Sequence, residues 1–138
     1  MADHAEARSR PRLSGAYPQL FVTDMARALA FYAETLGFTV AFAYGDPPFY
    51  AQLRRDRARL NLRHVDGPVF AGDVREREDL LSAHIPVENV TALYREVGAA
   101  GASIHRKLAE QPWDATDFIV KDPDGNLLCF SSPTDLQD

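Results

Sequence analysis

Apolar and polar positions follow two periods along this chain, and the two alternate. Tyr17 to Thr23 is short, β-rich and bounded by turn formers, which predicts a strand. Pro18 within it has no N–H for a ladder, so the strand suits an edge or an exchanged position. Met25, Ala28, Leu29, Tyr32 and Leu36 then recur at helical spacing behind a cap at Thr23 or Asp24, with Gly37 where a helix ends. Three strand-like runs follow, Phe38 to Tyr44, Phe49 to Arg54 and Ala58 to Val65. Gly45-Asp46-Pro47-Pro48 turns the first into the second.

After a polar stretch without a period, Asp66 to Leu81, the same order returns. Ser82 to Glu88 reads as a strand and Asn89 as a helix cap. Val90, Leu93, Tyr94 and Val97 form an apolar stripe ending near Gly98 and Gly101. Strands are expected at Ser103 to Leu108, Thr116 to Lys121 and Leu127 to Ser131, with Asp122-Pro-Asp-Gly-Asn126 as a tight turn. The chain therefore reads β-α-β-β-β twice. The fold class is α+β: two tandem βαβββ modules forming a curved mixed sheet around a concave cleft, with helices on the outer face. Residues 16–133 make one domain, with halves at about 16–65 and 82–133 joined by the linker 66–81. Residues 1–15 form an arm and 134–138 a tail.

Composition narrows the function classes. The chain has 138 residues, 46% hydrophobic and 25% charged, which is a globular balance for a single domain. A formal net charge of -5 with no basic patch argues against a nucleic-acid partner. No apolar stretch approaches the roughly 20 residues of a membrane span, and the N-terminus lacks the apolar core of a secretory signal. With Cys129 as the one cysteine no internal disulfide forms, and a cytoplasmic location is expected.

Several motifs resemble the glyoxalase, bleomycin-resistance and extradiol-dioxygenase (vicinal oxygen chelate) superfamily. Val22-Thr-Asp-Met, Ala30-Phe-Tyr32 and Leu36-Gly-Phe38 look like its first-helix signature. Asp122 to Asn126 followed by Leu-Leu-Cys-Phe looks like its last hairpin. Glu110-Gln-Pro-Trp113 with Asp117-Phe118, and Ala16-Tyr-Pro-Gln-Leu20, resemble the bleomycin-resistance branch, whose members bind and sequester an antibiotic. Asp114 departs from that pattern, which usually has Gly. The resemblance implies a homodimer with an exchanged N-terminal strand and ligand clefts between subunits.

Enzymes of the superfamily hold a divalent ion with His, Glu or Gln on four strands. Carried over, those positions fall on Tyr17, Asn61, Ser82 and Cys129, a poor donor set. No metal, no other cofactor and no catalytic residue are therefore expected. The four histidines, His4, His64, His84 and His105, lack close ligand spacing, and only His84 lies near a ligand position.

The expected function is binding and sequestration of a small molecule, an antibiotic or natural product. The alternative is a metal-dependent lyase, isomerase or dioxygenase of the same superfamily; a metal-free enzyme ranks third. The ligand-binding residues are Phe42, Phe49, Asn61, Arg63, His84 and Trp113. The resemblance places aromatic rings along the cleft, and flat rings stack on a flat ligand. Trp113 favours binding over core packing, whereas Phe42, Phe49 and His84 suit either role. Arg59 and Arg63 share strand parity with Asn61 and favour an anionic ligand. Asp46, Glu110, Asp114 and Asp117 would favour a cationic one.

Overall fold

The computed structural model describes residues 10–134, so most of the expected tail and most of the expected arm lie outside the described residues. The first module runs β1 (Gln19–Val22), α1 (Met25–Ala30) continued by a π-helical turn (Phe31–Thr35), β2 (Thr39–Tyr44), β3 (Tyr50–Arg55) and β4 (Ala58–His64). The linker carries a short helix, α2 (Val74–Arg77), which its aperiodic sequence did not announce. The second module is β5 (Ala83–Pro86), α3 (Val90–Ala99), β6 (Ser103–Gln111), β7 (Ala115–Lys121) and β8 (Leu127–Pro133).

The α+β two-module architecture is present as two four-stranded sheets, ordered β1-β4-β3-β2 and β5-β8-β7-β6. Each is mixed: β1 pairs with β4 and β5 with β8 in parallel, and the remaining pairs are antiparallel.

Local chemistry starts both long helices. The Asp24 carboxylate accepts from Arg27 N, and the Asn89 side chain accepts from Ala92 N, each satisfying an orphan first-turn donor. The π-helical turn explains the spacing of the first stripe. Ala28, Tyr32 and Leu36 stand four apart, and one widened turn keeps all three buried on one side. Gly37 ends the element at φ 73, as the sequence suggested.

Strand alternation sorts each sheet into two faces. Leu20, Val22, Ala51, Leu53, Leu60 and Leu62 are buried on the helix side of the first sheet. They join Ala83, Val90, Val97, Phe118, Val120, Leu128 and Phe130 of the second module in one core. Within it the Phe118 ring stacks on Phe130 at 5.3 Å and meets the edge of Tyr94 at 5.1 Å. The other face of the first sheet is left open, and there the site is sought. Among the described residues, no helix is long and apolar enough to cross a membrane.

Candidate functional site

The cross-strand register assembles the open face of the first sheet. Asn61 lies between Gln19 and Gln52, and Arg63 lies between Phe21 and Tyr50. Phe42 is opposite Gln52, and Tyr44 is opposite Tyr50. The Phe42 and Tyr50 rings approach to 6.1 Å, tilted by 38°. Gln52 Nε2 donates to Asn61 Oδ1 at 3.2 Å, which fixes the two amides at the centre of the sheet.

Phe42 and Phe49 are not core residues: Phe42 is 46% exposed and Phe49 is 49% exposed. Phe49 is held in place all the same. Gly45, at φ 100, leaves room for its ring directly against the hairpin backbone, where any Cβ would collide with it. The Tyr44 ring meets it edge-on at 5.6 Å. Aromatic surface is thus displayed on the sheet and left uncovered by the described residues, the usual mark of a binding surface.

Trp113 and His84 belong to the second module. Trp113 tops the β6–β7 hairpin and is 64% exposed, so it also plays no part in the core. β6 runs on to Gln111, so Glu110 and Gln111 are strand residues and only Pro112 to Asp114 turn. Asp114 adopts φ 62, in the left-handed region where the family pattern has Gly. Asp tolerates that region, so the turn survives the substitution. Asp114 N donates to Gln111 O at 3.2 Å, and Thr134 N donates to Asp114 O at 3.0 Å. Replacing Asp114 by Gly is expected to stabilise the chain by about 0.5–1 kcal/mol, read from the urea midpoint.

His84 is exposed, lies opposite Cys129 in the register and hydrogen-bonds Ser131 Oγ at 2.7 Å. Beside it Asp117, expected on a rim attractive to cations, is buried and paired. Asp117 is 3% exposed; its Oδ1 accepts from Arg106 at 3.1 Å and from Gln111 at 3.0 Å. Asp117 therefore does not line a solvent rim open to cations, since Arg106 neutralises it. Arg106 also faces Asp79 of the linker at 3.6 Å, and His105 pairs with Asp79 at 2.7 Å.

The donor set carried over from the superfamily's enzymes does not suit a divalent ion. Tyr17 is half exposed ahead of β1, and the Asn61 amide oxygen is taken by Gln52. Ser82 Oγ donates to Asn126. Burial, followed by the nearby Asp117 carboxylate, pushes the Cys129 thiol up to about 11, whereas a metal needs the thiolate. Among the described residues, no three His, Cys, Asp or Glu side chains converge on one point. Cys129 is expected to react with a thiol reagent at pH 8 only after denaturation. Rapid labelling of the folded chain would contradict this account of the site.

The structure therefore divides the sequence-derived residues into two groups. Phe42, Asn61 and Arg63 share the open face of the first sheet with Phe49 at its hairpin, whereas His84 and Trp113 stand on the second module. Tyr44, Tyr50, Gln52 and Arg54 also lie on that open face and were missed. Their strand parity with Phe42 was legible, but the register that brings them together was not.

This fold has known counterparts. The family model of the Glyoxalase/Bleomycin resistance protein/Dioxygenase superfamily matches residues 14–130, and the chain belongs to that superfamily. A bleomycin resistance protein of Geobacillus stearothermophilus is 32% identical over 125 residues, covering 82% of this chain and 92% of the relative. A bleomycin-binding protein of Streptomyces verticillus, crystallised with copper(II)-bleomycin, is similar with a TM-score of 0.70 and 26% identity. That match covers 89% of this chain and 98% of that one. A glyoxalase-related enzyme of Clostridium phytofermentans shares the fold at TM-score 0.70 and 20% identity, covering 91% of this chain and 98% of that one. The superfamily thus holds both binding proteins and enzymes.

Proposed function

We propose that this protein binds and sequesters a small antibiotic or natural product without transforming it, in clefts formed between two copies of the chain. The observation that carries this reading is the open face of the first sheet. It displays exposed aromatic rings beside hydrogen-bonded amides, which suits stacking and orienting a planar ligand rather than reacting with it. The bleomycin resistance relative supports the same reading.

Two copies supply what one chain lacks. Trp113 and His84 are on the other module, and a second copy brings its own set against the first sheet. Residues 10–16 are exposed, and Leu13 is 98% exposed, as suits an arm that packs on a partner. The ladder of β1 against β4 is the same whether β1 comes from the same chain or from the partner, so exchange keeps every hydrogen bond. No metal takes part, and a cytoplasmic setting suits a chain whose one cysteine is a buried thiol.

Isothermal titration with bleomycin and a panel of planar antibiotics, alongside sedimentation, tests the proposal. Saturable binding of at least one compound to a dimer is expected. A monomer that binds none of them refutes it, and one tightly held metal ion per chain, in protein purified without chelator, returns the enzyme reading.

A further inference from the structure

The chain as a whole is acidic, with a formal net charge of -5, yet the open face of the first sheet carries only positive charge. On its strand positions stand Arg54, Arg59 and Arg63, and no Asp or Glu shares their parity on β1, β2, β3 or β4. Arg54 and Arg59 are direct cross-strand partners. Like charges at such positions, roughly 5 Å apart at Cβ, destabilise a sheet.

Pairing among the described residues does not relieve this repulsion. Both amino groups of the neighbouring Arg55 are taken by Glu96, at 2.6 Å and 3.1 Å, so that cation is neutralised. Arg59 Nη1 donates to the carbonyl oxygens of Asp56 and Ala58, each at 2.9 Å, which holds the guanidinium in place without cancelling its charge. Among the described residues, neither Arg54 nor Arg63 has an ion-pair partner. Arg54 and Arg59 also wall an open polar depression of about 590 Å³, which they share with Asp56 and the Arg55–Glu96 pair. Along the same face the arginine rows lead to the tilted Phe42–Tyr50 ring pair.

We infer that the ligand of this face is a planar aromatic compound bearing a carboxylate or similar anionic group, its ring against Phe42 and Tyr50 and its anion among Arg54, Arg59 and Arg63. The inference rests on the cleft reading above and specifies its ligand class. An anion placed among these guanidiniums relieves their mutual repulsion, so charge contributes to selectivity as well as to affinity.

The test uses the full chain and two probes that share one ring system, anthracene-9-carboxylate and 9-(aminomethyl)anthracene, titrated by fluorescence at low and high salt. The carboxylate is expected to bind on the order of tenfold tighter, since a hydrogen bond to a charged group is worth that much. Salt should shrink the gap. Arg54→Gln and Arg63→Gln should each weaken the carboxylate severalfold and leave the amine unchanged.

Equal or tighter binding of the amine overturns the inference, as does failure of both probes to bind or equal weakening of both by the variants. A change in sedimentation mass in the arginine variants, with probe affinity intact, also overturns it by giving the arginines to a partner's carboxylates. If the amine or bleomycin binds in a Phe42-dependent way and the carboxylate does not, the cleft reading stands and only the anionic class falls. If no probe and no antibiotic binds, both fall.

Discussion

Replacing Asp122 by Ala is expected to cost about 3–5 kcal/mol of folding stability, close to the whole margin of an ordinary domain. The carboxylate is 3% exposed and carries four hydrogen bonds. Oδ1 accepts from Asp124 N and Asn126 N, each at 2.8 Å; Oδ2 accepts from Tyr32 Oη at 2.7 Å and Asn126 Nδ2 at 2.9 Å. Tyr32 belongs to the first module and the other donors to the second. Thr23 reaches Asp124 Oδ1 through both its N–H and its hydroxyl, at 2.9 Å and 2.6 Å, and Asn126 Nδ2 donates to Phe21 O at 3.0 Å. The Asp122–Asn126 turn is therefore a clasp between modules as well as a hairpin. Truncating Asp122 leaves buried donors unpaired, and each such loss costs about 1–3 kcal/mol.

Tyr32→Phe removes one of these bonds and is expected to cost about 1–2 kcal/mol. Burial raises the Asp122 carboxyl above its ordinary range, its hydrogen bonds opposing this in part. A raised folded value makes the group's contribution complete below the unfolded value and lost as pH rises through the folded one. The margin of the natural chain over Asp122→Ala should thus be widest in mild acid and narrower at neutral pH. Urea denaturation at both pH values measures it; a loss below about 1 kcal/mol would contradict the clasp.

The second large effect concerns ligand binding and who shares a cleft. Phe42→Ala and Trp113→Ala are each expected to weaken ligand binding by about thirtyfold, the loss of one aromatic anchor of roughly 2 kcal/mol. Folding stability should change by less than about 1 kcal/mol, because neither ring belongs to the buried core of the single chain. If each cleft joins the first sheet of one copy to Trp113 of the other, the two variants complement one another. A mixed dimer of Phe42→Ala with Trp113→Ala holds one cleft with both lesions and one with neither. Unfolding and refolding an equimolar mixture should restore tight binding at about a quarter of the clefts, since random pairing makes half the dimers mixed. If both rings served a cleft within one chain, no tight site would return.

Much of the architecture was legible in the sequence. Asp24, Asn89 and Gly37 mark helix ends by local chemistry, and the buried stripes fall where helical and strand periods put them. What escaped was non-local. The bond from Tyr32 to Asp122 joins residues 90 positions apart. The Arg106–Asp117 pair depends on how β6 meets β7. Tyr50, Gln52 and Arg54 join Asn61 and Phe42 through a strand register that tertiary packing sets. The Asp114 departure looked like a change of turn from sequence, yet its backbone shows an Asp in the left-handed conformation that the family pattern gives to Gly.

The most direct test of sequestration without chemistry is native mass spectrometry of the protein incubated in turn with bleomycin, each planar antibiotic of the panel and anthracene-9-carboxylate. For at least one compound the expected spectrum is a dimer carrying two ligands, each recovered at its starting mass after denaturation. A monomer without adduct for every compound, or a ligand of altered mass, would contradict it.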